Sequence, residues 1–124
     1  RKGNRMEPAV RAWFDDADER SLFTSVLVLG EVRRGIESIR RRDTIAAEAL
    51  DQWHHRLVET FGDRVLAVDD RIADRWGALN VPDPLPTVDG LLAATALVYD
   101  FTLVTRNVRD VTRTGARLLN PFNH

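Results

Sequence analysis

The sequence contains no cysteine, which removes disulfides, thiolate metal ligands and cysteine nucleophiles together and fits a reducing, cytoplasmic setting. Lysine occurs once, at Lys2, so the basic charge is almost wholly arginine. Codon usage in a GC-rich genome accounts for that plainly; the planar guanidinium also suits phosphate. Neither charge is in excess, since 18 Lys and Arg face 19 Asp and Glu for a net charge of −1. Global attraction to a polyanion is thereby excluded, and a nucleic-acid role has to rest on cations clustered around an acidic centre. No run of about 18 apolar residues exists, so no membrane span is expected. The basic start, Arg1–Arg5, leads into no apolar stretch, so a signal peptide is not expected either. A glycine-rich phosphate loop is missing, which argues against a nucleotide switch. His54 and His55 fall mid-helix, away from the acids, and His124 ends the sequence, so no His–carboxylate metal triad is indicated. Trp13, Trp53 and Trp76 lie on apolar faces and are expected in the core rather than as base-stacking platforms.

What is present is 124 residues, 44% apolar and 30% charged, an ordinary balance for one globular domain. No repeat or low-complexity segment interrupts it. Glu7–Ala17 predicts a helix, with Val10, Trp13 and Phe14 at helical spacing. Ser21–Thr24 predicts a short strand. Ser25 then caps a helix whose Leu29, Val32, Ile36 and Ile39 form an apolar stripe. Arg40–Asp43 is expected as a solvated turn, and Thr44–Phe61 as a long helix with Ala49, Trp53, Leu57 and Phe61 on one face. Val65–Val68 predicts a strand. Asp69 is a plausible cap for a helix carrying Ile72, Trp76 and Leu79, and Asn80–Pro86, with three prolines, must be a loop. Thr87 is expected to cap the helix Val88–Tyr99, Phe101–Thr105 to be a strand, Val108–Thr112 a helical turn and Ala116–Leu119 a last strand. Strands alternating with helices predict a parallel sheet covered on both faces.

Asp89 falls in the first turn of the apolar helix 88–99. A carboxylate there complements the helix dipole, and that plain role stays open beside a functional one. The helix runs about 18 Å away from Asp89, and the strand 101–105 returns about 17 Å. Asn107 and Asp110 therefore come back to the edge where Asp89 sits, the carboxyl end of the parallel strands, where open α/β folds place ligands. Glu31 makes the same argument from the helix that leaves strand 21–24, with a solvated edge position as its plain alternative. Acids gathered this closely repel unless a cation lies among them. Oxygen donors of this kind select a hard divalent ion, Mg2+ or Mn2+, rather than zinc.

Four blocks, in order and spacing, carry a resemblance. They are Leu29-Gly30-Glu31-Val32-Arg33-Arg34-Gly35-Ile36, Asp89-Gly90-Leu91-Leu92-Ala93-Ala94-Thr95-Ala96, Leu103-Val104-Thr105-Arg106-Asn107-Val108-Arg109-Asp110 and Leu118-Leu119-Asn120-Pro121. Together they resemble PIN-domain nucleases, most closely VapC-type toxins of bacterial toxin–antitoxin pairs. The resemblance implies an α/β/α sandwich with a central parallel sheet and a Mg2+-dependent endoribonuclease. It also implies a homodimer inhibited by a cognate antitoxin. Glu31 matches the family's second acid and Asp89 its third. The fourth position is Asn107 here, with Asp110 three residues on to supply charge. Thr105 matches a small hydroxyl residue beside this cluster. The expected metal ligands are thus Glu31, Asp89 and Asp110, with Asn107 beside them. Arg33, Arg34 and Arg106 are candidate phosphate contacts, with solvated surface arginines as the alternative.

The family's first acid ends a first, central strand, and the sequence starts downstream of that point. Residues 1–124 are therefore expected to be one PIN domain, N-terminally incomplete, with weak metal binding and activity as it stands. Val10, Trp13, Phe14, Ile36 and Ile39 serve either the core or a dimer or antitoxin surface. Two rivals remain. One is a PIN-like domain that has lost catalysis and acts as a binding or regulatory module. The other, a flap-type DNA nuclease, usually needs extra DNA-grasping segments for which this chain has no room.

Overall fold

A computed structural model describes residues 18–123. The helix expected over 7–17, with Val10, Trp13 and Phe14, lies outside the described residues. By internal contacts the chain divides into two units, represented here by residues 18–67 and 68–123.

In the first unit the strand expected at Ser21–Thr24 is shorter and later. Glu19–Ser21 forms a 3-10 turn, because the Asp18 carboxylate accepts from the Arg20 N–H at 3.0 Å and the Asp18 carbonyl from the Ser21 hydroxyl at 2.7 Å. Aspartate competes for the backbone in this way wherever a turn can form. Strand β1, Thr24–Ser25, follows and pairs in parallel with β2, Val65–Leu66, Thr24 opposite Val65 and Ser25 opposite Leu66. Ser25 caps helix α1, Val26–Arg40, as its sequence position suggested: the hydroxyl accepts from the Leu27 N–H at 3.1 Å. Ile36 of the expected stripe is buried, and Leu29, Val32 and Ile39 are half-buried.

Helix α2, Thr44–Phe61, is separated from α1 by three residues, 41–43, and is capped by Asp43, which accepts from the Ala46 N–H at 3.0 Å. So short a link makes α1 and α2 an antiparallel hairpin. Ala47, not Ala49, is its fully buried alanine; Ala49 is exposed. Steps of four residues drift about 40° each around a helix, so the row 49, 53, 57, 61 leaves the contact face at its first member. Two polar devices tie the hairpin. His54 Nε2 lies 3.1 Å from the Leu29 carbonyl oxygen. Arg33 grips Asp51 with both terminal nitrogens at 2.7 and 3.2 Å, while Arg40 reaches Asp51 at 2.9 Å and Glu48 at 2.6 Å. Arg40, expected in a solvated turn, belongs to the helix and to this network.

In the second unit helix α3, Asp70–Leu79, is capped by Asp69, which accepts from the Ile72 N–H at 3.1 Å. Ile72 is 0% exposed. The loop 80–86 is held by Asn80, whose amide donates to the Trp76 carbonyl at 2.7 Å and accepts from the Leu85 N–H at 2.8 Å. Helix α4 spans Thr87–Tyr99. Thr87, expected as its cap, is instead the first helical residue; Pro86 holds the cap position, and its carbonyl accepts from the Gly90 N–H at 2.8 Å. Gly90, Ala93, Ala94, Thr95 and Ala96 are buried, and such small side chains let neighbouring elements approach α4 closely. The helix ends at Asp100 in the left-handed region, φ 58°, where aspartate is among the few tolerated non-glycine residues.

Strand β3, Thr102–Val104, then pairs in parallel with β4, Arg117–Leu119, in register 102–117, 103–118 and 104–119. Helix α5, Val108–Val111, and a 3-10 turn, Thr112–Thr114, cross between them. Both strand pairs are parallel and both units carry helices, the α/β class expected. Among the described residues no helix is long and apolar enough to cross a membrane.

Candidate functional site

Most of the singled-out residues belong to one end of the second unit. Asp89 sits half-buried in the first turn of α4. The helix runs about 15 Å from Asp89 to Tyr99, and the chain comes back along β3, which packs on α4. Thr105 extends the β3–β4 ladder by one residue, its N–H donating to the Leu119 carbonyl at 3.0 Å. Its hydroxyl then accepts from the Asn107 N–H at 3.0 Å. The chain is thus turned into α5, which packs against α4. Asn107 is at the cap position of α5, and its carbonyl accepts from the Asp110 N–H at 3.1 Å. Asn107 and Asp110 therefore share one turn, and both are exposed.

Glu31 lies on α1 in the first unit, exposed, with Arg34 Nη1 4.0 Å from its carboxylate. Arg34 is the freer arginine there, its side chain 82% exposed. Arg33 is not free: beyond Asp51 it donates to Glu37 at 2.9 Å. These contacts hold the Asp51 carboxyl down at about 2, through the hydrogen bond from Arg33 first. Glu37 is lowered too, chiefly by Arg40 and then Arg33. Asp69 is lowered mainly by the Ile72 N–H it caps, with Arg71 adding to it. Each of these perturbed acids has a structural task.

Oxygen donors make up the whole candidate set: carboxylates at Glu31, Asp89 and Asp110 and an amide oxygen at Asn107. In kind they fit a hard divalent cation and not a soft one. Among the described residues no three His, Asp or Glu side chains gather into a metal-holding group. Sequence reasoning missed one partner at this end of the second unit. The Phe122 ring lies under the Arg106 guanidinium, 4.1 Å from Cζ to the ring centroid. The available signal was the Asn120-Pro121 turn: parallel strands release their following residues at the same edge.

A family model for the PIN domain matches residues 4–115. The plasmid stability protein StbB of Pseudomonas syringae pv. tomato is 27% identical over 128 residues, covering 95% of this chain and 89% of that protein. The crystal structure of FitAcB from Neisseria gonorrhoeae superposes with a TM-score of 0.89 at 20% identity, over 98% of this chain and 90% of that one. A structure of FitAB bound to an IR36 DNA fragment gives 0.79 at 22% identity, over 95% and 87% of the two chains. At these identities the structural likeness is one of fold.

Proposed function

The chain belongs to the PIN-domain family, and from that premise we propose that it is a metal-dependent endoribonuclease acting as the toxin of a toxin–antitoxin pair. The observation that carries the reading is the span of the family match. Residues 4–115 take in Glu31, Asp89, Asn107 and Asp110, an all-oxygen donor set, together with Thr105, Arg34 and Arg106. The proposed oxygen donors for Mg2+ or Mn2+ are Asp89 and Asp110, with Asn107 adding a neutral oxygen, in the second unit, and Glu31 in the first. Such an ion, when bound, supplies an activated water and neutralises charge building up on a phosphodiester. The remaining work falls to the chain itself. Thr105 fixes the turn that presents Arg106, Asn107 and Asp110. Arg106 and Arg34 contact substrate phosphates. Arg33, three of whose five N–H donors go to Asp51 and Glu37, fits the hairpin better than a phosphate.

Similarity to a plasmid stability protein and to Fit complexes, one of them on DNA, supports an antitoxin protein as partner. A homodimer in the cytoplasm is part of the same reading. A second reading, a PIN-like binding or regulatory module without catalysis, is favoured by Asn107 in place of an acid and by the absence of an assembled three-acid group among the described residues.

One comparison separates them: cleavage of single-stranded RNA by the full chain and by Asp89→Asn, each with Mg2+ and with chelator. Loss of cleavage by at least about 100-fold in the variant, and on chelation, is expected. Equal cleavage by both proteins would sink the catalytic assignment. RNA binding without any cleavage, also in a chain extended to carry the family's first acid, would establish the module.

A further inference from the structure

We propose that Phe122 is a positioning residue for RNA, holding the Arg106 guanidinium by stacking so that its in-plane N–H donors are left for a phosphodiester. The proposal rests on the ribonucleic-acid reading above and adds a residue to it. The placement begins with β3 and β4. Because they run parallel, both release their chains at the same edge, and the Thr105–Leu119 hydrogen bond carries the pairing one step past β3. Arg106 follows on one strand. On the other, the Asn120 side chain accepts from the Phe122 N–H at 2.9 Å and Pro121 is buried. That turn folds the ring of Phe122 back under Arg106.

Stacking engages the face of a guanidinium, whereas its five N–H donors radiate in the plane. An arginine stacked on a ring is therefore oriented without losing a donor. Three arginines stack on aromatic rings among the described residues, and their donors differ. Arg64, over Phe61, donates to the carbonyls of Leu22 at 2.9 Å and Thr60 at 2.7 Å. Arg71, over Tyr99, pairs with Asp69 at 2.9 Å. Arg106 makes the closest stack, 4.1 Å against 5.4 Å for the others, and none of its donors finds an acceptor among the described residues. An exposed, oriented guanidinium whose charge meets no carboxylate among the described residues is the arrangement that recognises a phosphate. It sits beside Thr105 and Asn107, at the end of the unit that carries Asp89.

The test is fluorescence anisotropy of a labelled single-stranded RNA oligonucleotide with the full chain, with chelator present to stop cleavage. Thermal melts are run alongside. Arg106→Gln should weaken binding about tenfold and reduce the salt dependence by about 0.7 in log–log slope. Phe122→Leu should weaken it about threefold, whereas Phe122→Tyr, which keeps the ring, should bind like the unaltered chain. In the double variant Arg106→Gln/Phe122→Leu, affinity should be no lower than in Arg106→Gln alone, because the ring acts only through the guanidinium. Unchanged affinity in Phe122→Leu, or full additivity of the two losses, would overturn the proposal while leaving the ribonuclease reading intact. Should Phe122→Leu melt below the assay temperature, Phe122→Tyr and Arg106→Gln decide: loss in the first, or none in the second, overturns it. No RNA binding by the unaltered chain would overturn both readings at once.

Discussion

Gly90, next to Asp89 in the first turn of α4, is the position where adding one methyl group tests the packing most directly. A Cβ there would lie 3.2 Å from Leu85 Cβ, 3.2 Å from Trp76 Cδ1 and 3.3 Å from Leu85 Cδ1. Carbon atoms rest comfortably at about 3.5–4.0 Å, so all three contacts are too close. Helix propensity works the other way, favouring alanine over glycine by about 1 kcal/mol. Overpacking a fitted core costs about 1–3 kcal/mol, and the question is which end applies. Leu85 decides it. The residue is only 7% exposed, its N–H is tied to Asn80, and a Cβ cannot swing aside by changing rotamer. The cost is therefore expected near 2 kcal/mol, roughly twice the propensity gain. Gly90→Ala should be destabilised by about 1 kcal/mol net, or roughly 4 °C in melting temperature for a chain of this length. Chemical denaturation followed by tryptophan fluorescence is the assay, with Trp76 at the contact as one reporter. A melting temperature above that of the unaltered chain would refute the reasoning, since it would show Leu85 and Trp76 yielding at less than the propensity gain.

Asp51→Asn tests the hairpin clamp through pH. The carboxyl is depressed to about 2 in the folded chain from an ordinary value near 3.9, so its stabilisation is present above about pH 4 and disappears as pH falls through about 2. The melting-temperature gap between Asp51→Asn and the unaltered chain should hold steady from pH 7 to 5 and close between about 4 and 2; a gap indifferent to acid would contradict the ion-pair account. Ile72→Ala removes the fully buried side chain under α3 and should cost about 2–5 kcal/mol by denaturant titration. A loss well under 1 kcal/mol would mean that Ile72 is not packed as its burial indicates.

The helices were legible because their signals are local. Thr44–Phe61 matches its predicted bounds, and Ser25 and Asp69 cap the helices they were expected to cap, each accepting from an N–H two or three residues on. Strand bounds were less legible, since a strand ends where its partner does. Phe101–Thr105 shortens to Thr102–Val104 and Val65–Val68 to Val65–Leu66 because only those residues find a ladder. Thr87 misled for a definite reason: Pro86 takes the cap position with its fixed φ, which moves the helix start by one residue. At the candidate site, Asn107 and Asp110 were foreseen in the segment after the strand, and the structure gives them one shared turn at the cap of α5. The hydroxyl of Thr105 that sets this turn was foreseen as a residue type but not as a hydrogen bond.

The arginines show where sequence reasoning stops. Arg33 and Arg106 stood level as phosphate candidates, each beside a block that carries the family resemblance. What separates them is set by residues far along the chain. Asp51, 18 positions away, takes both terminal nitrogens of Arg33, and Glu37 shares one of them, so a phosphate would have to displace two carboxylates to bind there. Phe122 meets Arg106 across a strand pairing and offers a face rather than an acceptor. A guanidinium is always charged, so the charge alone cannot distinguish the two; only the account of where each donor points does so. By that account Arg33 contributes to holding α1 against α2, and the proposed reading therefore assigns the phosphate contacts to Arg106 and, on α1, to the exposed Arg34.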